Sequence, residues 1–112
     1  MKLDPSSAEA KNALAVADLA LGQQTDALQI LSDLANSETQ DGDVHYRLAR
    51  LQIELGLAKD AVGNLETAIR LNPNVAAYHQ ELAEAYRKNA QPEEAEHEAR
   101  QLETLQEQKG LN

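Results

Sequence analysis

The chain has 112 residues, the length of one ordinary domain, with a net charge of −9 and no cysteine. The negative charge excludes a general binder of nucleic acid or of anionic membranes, because such proteins attract phosphates through a basic surface. The lack of cysteine excludes disulfides, thiolate metal sites and a cysteine nucleophile, and it is compatible with any cellular compartment. No stretch reaches the roughly 18 apolar residues of a membrane-spanning helix, so we expect no direct membrane insertion.

Apolar residues recur at α-helical spacing in six stretches of the chain. The predicted helices cover residues 7–21, 24–36, 42–55, 58–71, 75–89 and 92–108. The first is predicted to open with the capping box Ser6-Ser7-Ala8-Glu9, and the fifth with Asn74 as its N-cap. Pro92 is typical of a first helical residue, so it marks the start of the sixth helix.

A repeat with a period of 34 residues runs through these helices. We call a set of positions that lie 34 residues apart a column. Four columns hold similar residues: Leu14-Ala15, Leu48-Ala49 and Leu82-Ala83; Gly22, Gly56 and Ala90; Ala27, Ala61 and Ala95; Leu31, Leu65 and Ala99. Gly22 and Gly56 suit a left-handed helix end between paired helices. Each repeat is therefore predicted to be a helical hairpin.

Two of the columns hold small residues for a mechanical reason. Ala15, Ala49 and Ala83 on the first helices are predicted to oppose Ala27, Ala61 and Ala95 on the second helices. A bulky side chain at such a position would push the paired helices apart. The small columns therefore indicate close helix pairing within each hairpin.

The middle repeat resembles the tetratricopeptide repeat family most clearly. It reads Leu48-Ala49, Gly56, Ala61, Leu65, Ala68 and then the closing Leu71-Asn72-Pro73. The resemblance implies an all-α fold, a right-handed superhelical solenoid of three helix-turn-helix repeats. It implies a single domain over residues 1–112, with repeats at about 8–41, 42–75 and 76–108. The chain departs from the family pattern at Ala90, which replaces the loop glycine, and at Asp18 and Gln52, where an aromatic residue is frequent.

The two ends of the sequence predict different surroundings. Leu3-Asp4-Pro5 resembles the close of a preceding repeat, whereas Glu38-Thr39 replaces that motif after the first repeat. Glu96 and Glu103 put charge into columns that are apolar in earlier repeats, as a capping repeat requires. We therefore interpret the chain as the C-terminal part of a longer repeat protein; a natural start with a polar first turn is the alternative. Ala10, Ala13 and Ala17 form a small-residue face that would pack on a preceding helix.

Candidate catalytic and metal-binding residues are few, so we expect neither an enzyme nor a cofactor. His45 and His79 share one column a repeat apart, too far to hold one ion together, and packing is the favoured interpretation. His97 lies among glutamates and is predicted to be a solvated side chain. The sequence contains neither a nucleophile-elbow motif nor a phosphate-binding loop.

The family resemblance implies a binding groove along the first helices of the repeats. Its columns carry over to Asn12, Val16, Leu19, Tyr46, Arg50, Ile53, Gln80, Glu84, Arg87 and Lys88. Apolar and basic residues together predict a protein or peptide partner with apolar anchors and at least one acidic group. Ordinary solvent-facing surface is the alternative for these residues. A structural or self-associating segment of a larger protein, joined through the face of Ala10, Ala13 and Ala17, is the alternative function.

The family's carboxylate clamp for chaperone tails is not reproduced in this register. The clamp columns hold Asn12, Val16, Arg47, Ala77 and Glu81 instead of the lysine, asparagine and arginine set. Binding of heat-shock chaperone tails is therefore disfavoured.

Overall fold

The computed structural model describes residues 8–37 and 41–110, and these residues form six α-helices and no strand. The helices are α1 (Ala8–Ala20), α2 (Gln24–Asn36), α3 (Gly42–Glu54), α4 (Ala58–Leu71), α5 (Ala76–Lys88) and α6 (Pro92–Gly110). Each helix packs against the next one along the chain, and α3 also contacts α5. The predicted all-α hairpin fold is confirmed.

Two apolar clusters join the three hairpins. The first contains Leu31 of α2 with Leu48 and Leu51 of α3, and the second contains Leu65 of α4 with Leu82 of α5. Each cluster thus lies where the second helix of one hairpin meets the first helix of the next. Burial of these side chains from water is what holds the stack together.

The small columns lie at the centre of each hairpin, as predicted. Every one of the six alanines is buried, with at most 3% of its surface exposed: Ala15, Ala27, Ala49, Ala61, Ala83 and Ala95. Asp18 and Gln52, which replace the frequent aromatic residue, are also buried at 8% exposure each. Shorter polar side chains are therefore accommodated in that column.

The three hairpin turns share one backbone pattern. Gly22 has φ = 77°, Gly56 has φ = 80° and Ala90 has φ = 56°, so all three lie in the left-handed region. The following residue donates its N–H to the carbonyl five positions back, at 2.7 Å in each turn. This is the Schellman arrangement, which satisfies carbonyls at a helix end.

Two predicted helix caps have different outcomes. Asn74 is wrong as the N-cap of α5, because the helix begins one residue later, with Val75 at the cap and no side-chain cap bond. The capping box at residues 6–9 lies outside the residues whose side chains are described. The closing motif at 3–5 and the pair Glu38-Thr39 lie outside them as well.

Candidate functional site

The predicted groove residues lie on α1, α3 and α5, and we call this surface the first-helix face. Its members are Asn12, Val16 and Leu19 of α1; Tyr46, Arg50 and Ile53 of α3; and Gln80, Glu84, Arg87 and Lys88 of α5. Val16, Arg50, Gln80, Arg87 and Lys88 are exposed, and the other five are partly buried. The ten side chains therefore combine accessible charge with accessible apolar surface.

A small pocket lies where α1 meets α3 on this face. Leu19, Arg47, Arg50, Leu51 and Glu54 enclose about 70 Å³. The Arg47 guanidinium donates a hydrogen bond of 2.8 Å to the Asn12 side-chain oxygen, which ties α3 to α1 beside the pocket. The lining thus combines two leucines with two arginines and one glutamate, so an apolar side chain can lie here beside charged groups.

Arg50 stands over an aromatic pair that links α3 to α5. Its guanidinium carbon lies 5.6 Å from the centre of the Tyr46 ring, and that ring lies 5.1 Å from the ring of Tyr78. Arg50 also lies 3.7 Å from a carboxylate oxygen of Glu81, with 57% of its side chain exposed. An exposed ion pair of this kind contributes about 0–1 kcal/mol, so Glu81 holds Arg50 only weakly.

The α5 end of the face is charged and separate from the pocket. Arg87 pairs with Glu84 at 3.3 Å within the same helix, and both side chains are more than 40% exposed. Gln80 and Lys88 are exposed, and neither lines the α1–α3 pocket. The face therefore changes along the stack from aliphatic at Val16 and Leu19 to charged at α5.

Tyr78 of α5 is buried beneath this face and connects α5 to α3. It is 2% exposed, and its hydroxyl donates a short hydrogen bond to a carboxylate oxygen of Asp43 on α3. Burial, followed by the hydrogen bond and charge of Asp43, raises the pKa of Tyr78 well above its ordinary value. An added Cβ at Gly42 would lie 3.1 Å from the Tyr78 hydroxyl and 3.2 Å from the Ala68 carbonyl. This tight junction holds α5 against α3.

The two buried histidines each contact a polar side chain of the second helix in the same hairpin. His45 Nδ1 lies 3.1 Å from the Asn64 side-chain oxygen, and Asn64 in turn donates to Gln52 at 2.9 Å. His79 Nδ1 lies 2.8 Å from a Glu98 carboxylate oxygen. His97 is exposed on α6. Among the described residues, histidines and carboxylates nowhere come together in a group able to hold a metal ion.

A larger cavity lies on the opposite side of the stack, between α2 and α4. It measures about 420 Å³, and its wall is mostly polar. The wall consists of Ser32, Ala35, Asn36, Leu48, Gln52, Asp60, Gly63, Asn64 and Thr67. Asn64 in this wall is already bonded to His45 and Gln52.

One side of α1 is uncovered within the described part of the chain. Leu14 is 54% exposed and Leu21 is 73% exposed. The residues one and two repeats after Leu14 are Leu48 and Leu82, which the preceding hairpins bury to 3% and 2% exposure. At the other end of the stack Glu96 and Glu103 are exposed on α6.

Three polar residues outside the ten predicted groove positions also belong to this surface. Arg47 and Glu54 line the α1–α3 pocket, and Glu81 pairs with Arg50. Arg47 and Glu81 occupy the same column of the repeat, one period apart, and each contacts the helix of a neighbouring repeat. Both residues stand at clamp columns, which border the groove columns, so their nearness to the groove could be expected from the sequence.

Comparison with known proteins places the chain among helical repeats. Residues 64–97, a stretch as long as the period, match the family model for the tetratricopeptide repeat. A crystal structure of MamA matches with a TM-score of 0.89 at 24% identity, covering 98% of this chain and 64% of that one. A second MamA structure gives 0.86 at 24% identity, covering 96% and 59%, and MamA MSR-1 gives 0.84 at 22%, covering 94% and 60%.

These structural similarities concern the fold alone. The chain spans less than two thirds of the length of each of these three structures. No curated protein is similar enough in sequence to count as a relative. No helix in the described residues is long and apolar enough to cross a membrane.

Proposed function

We propose that this chain is a tetratricopeptide repeat protein and that its first-helix face binds a segment of another protein. The segment carries an aliphatic side chain and at least one carboxylate. The observation that supports this most is the α1–α3 pocket, where Leu19 and Leu51 adjoin Arg47 and Arg50. The proposed role is binding and scaffolding rather than catalysis.

The aliphatic anchor belongs at the α1 end of the face. Leu19 is partly buried against the first apolar cluster, and Val16 is 44% exposed beside it on the same helix. Covering such surface gains roughly 25 cal/mol for each Å² removed from water. The pocket of about 70 Å³ is small, so it suits one short aliphatic side chain rather than an aromatic ring.

The carboxylate belongs next to Arg50. This guanidinium is more than half exposed, is oriented by the Tyr46 ring and is held only weakly by Glu81. A carboxylate on the partner can replace Glu81 at little cost and make a bidentate pair with Arg50. Arg47 also lines the pocket, so two arginines there outweigh the single negative charge of Glu54.

The test is selection of binders from a random peptide library on the wild-type chain, followed by fluorescence anisotropy with the enriched peptide. We expect enriched peptides to combine an aliphatic residue with Asp or Glu. Arg50→Gln should weaken binding by about 2–5-fold, the upper part of the range of about 0.2–1 kcal/mol for an exposed charge pair. Leu19→Asp should weaken it further, because the anchor would meet a charge.

Lys59→Gln is the matched control, since Lys59 is an exposed cation on α4, away from the face. It should leave the affinity unchanged. Equal binding by wild type, Arg50→Gln and Leu19→Asp would reject the proposed site. Enrichment of peptides that lack acidic residues would contradict the proposed carboxylate on the partner.

Self-association through the uncovered side of α1 is a second candidate, favoured by the exposure of Leu14 and Leu21. Ala13 and Ala17 on the same helix are small and exposed, so a second α1 helix could approach closely. Sedimentation equilibrium should then show a concentration-dependent dimer that Leu14→Glu abolishes. A monomer at all concentrations would contradict self-association and would not affect the proposed peptide binding.

A further inference from the structure

A recess on α1 and α2 repeats the cavity between α2 and α4, one period earlier in the chain. It measures about 380 Å³ and is lined by Leu14, Asp18, Asp26, Gln29 and Ile30. Each of these residues has its counterpart, 34 positions later, in the wall of that cavity: Leu48, Gln52, Asp60, Gly63 and Asn64. The cavity has a further wall on α2, made by Ser32, Ala35 and Asn36. No described residue takes that place at the first position, which we call the α1–α2 recess.

At the two later hairpins the covering element is a helix. It packs through apolar side chains at positions i, i+3 and i+7, which are Leu28, Leu31 and Ala35 in α2, and Val62, Leu65 and Ile69 in α4. Under this cover Leu48 and Leu82 are 3% and 2% exposed, whereas their counterpart Leu14 is 54% exposed. The chain itself therefore shows what fits the α1–α2 recess: a helix with aliphatic residues at this spacing.

Asp18 adds a chemical requirement to this shape. It is 8% exposed, yet among the described residues no side chain donates a hydrogen bond to its carboxylate. Its counterpart Gln52 accepts a hydrogen bond of 2.9 Å from Asn64, but Ile30 replaces Asn64 in the first hairpin and has no donor. No fully enclosed side-chain oxygen or nitrogen in the described residues lacks a partner, so the Asp18 oxygens are accessible from the recess. A nearly buried carboxylate without a partner is costly, which favours a ligand that donates to it.

The third hairpin indicates where on the covering helix that donor belongs. Tyr86 occupies the column of Asp18, and its hydroxyl donates a hydrogen bond of 3.3 Å to Glu66 of α4. Glu66 lies four residues after Val62, which is position i+4 of the covering helix. At the α1–α2 recess the acceptor lies on α1, so the covering helix has to supply the donor. Asp26 lines the same recess, so a cation at i+4 is favoured over a neutral donor.

We propose that the α1–α2 recess binds a helix of a partner protein, with aliphatic residues at i, i+3 and i+7 and an arginine or lysine at i+4 that pairs with Asp18. The recess shares no lining residue with the α1–α3 pocket, so the proposal is independent of the peptide binding proposed there. A second copy of the chain is a poorer occupant. Its outer helix α6 has Glu96 at i and Glu103 at i+7, and its Arg100 at i+4 already pairs with Glu96 at 2.8 Å.

The probe is a fluorescent stapled helical peptide of 14 residues, the length of α4, with leucine at i, i+3 and i+7 and arginine at i+4. Fluorescence anisotropy with the full chain should show saturable binding. A peptide with glutamine in place of the arginine should bind about 10-fold more weakly, as loss of a hydrogen bond to a charged group predicts. Asp18→Asn should bind the two peptides equally. No binding of the arginine peptide, or equal binding of both peptides by the wild type, would overturn the proposal.

Two variants and one further measurement complete the test. Asp60→Asn is the matched control, since Asp60 is an exposed aspartate of α4 outside the recess, and it should preserve the preference for arginine. Arg50→Gln on the first-helix face should also preserve it, so that the two proposed sites are tested separately. Sedimentation equilibrium tests the second copy as occupant. A dimer of the chain that excess arginine peptide does not dissociate would assign the recess to a second copy and overturn the proposal.

Discussion

Ala90→Gly should stabilise the protein, because Ala90 holds a left-handed backbone at φ = 56° in a turn where its two counterparts are glycines. The left-handed conformation costs a residue with a Cβ about 1–2 kcal/mol. The greater freedom of glycine in the unfolded chain offsets about 0.4–1 kcal/mol of that gain. The Ala90 side chain is exposed, so its removal loses little packing.

The expected net gain is therefore about 0.5–1 kcal/mol, or a rise of about 2–6 °C in Tm for a chain of this size. Urea and thermal unfolding followed by circular dichroism at 222 nm measure both quantities. Gly56→Ala is the matched reverse substitution, since an added Cβ there meets nothing within 4 Å and its cost is conformational. It should lower stability by about 0.5–1 kcal/mol, since the same two effects act with reversed sign. If Ala90→Gly lowered Tm, or Gly56→Ala left it unchanged, the turn reasoning would be wrong.

Two further predictions concern packing and ionisation. Gly42→Ala should destabilise the fold by about 1–3 kcal/mol, because the new methyl group crowds Tyr78 and the Ala68 carbonyl. Gly63→Ala, in open space on α4, should instead stabilise it by about 0.5–1 kcal/mol. Urea unfolding measures both changes, and equal effects would contradict the crowding at Gly42. Burial, and then Glu66, raises the pKa of Tyr86 to about 12. Between the ordinary value of about 10 and this one, the folded protein keeps a proton that the unfolded chain releases, so stability should fall as pH rises through that range. Tyr86→Phe should reduce the slope of unfolding free energy between pH 9 and pH 11, and an unchanged slope would contradict the raised pKa.

The period of the sequence was enough to predict the helices and their pairing. Positions such as Leu48, Ala49 and Gly56 are determined by local backbone geometry and by contact with the adjacent helix, both of which repeat every 34 residues. For the same reason the left-handed turn at Ala90 could be anticipated from Gly22 and Gly56. The N-cap of α5 could not be predicted in the same way. The helix begins one residue later than a cap at Asn74 would require, and helix propensity does not determine a boundary to within one residue.

The site could be predicted only as a surface. Columns of the repeat place Leu19, Tyr46 and Arg50 on one face, since residues a period apart share an orientation. They do not determine which partner a long side chain selects. Arg47 bonds to Asn12, and Arg50 pairs with Glu81, through rotamers that depend on neighbouring helices. The pocket between α1 and α3 follows from those choices and was not visible in the sequence.

The central claim is that a partner segment occupies the first-helix face at the junction of α1 and α3. An amide chemical-shift map of the ¹⁵N-labelled chain, titrated with the peptide enriched in the library selection, tests it most directly. The account predicts that the largest shifts occur at Leu19, Tyr46 and Arg50, with small changes on α4. Largest shifts around Asn64 and Thr67, at the cavity between α2 and α4, would contradict it.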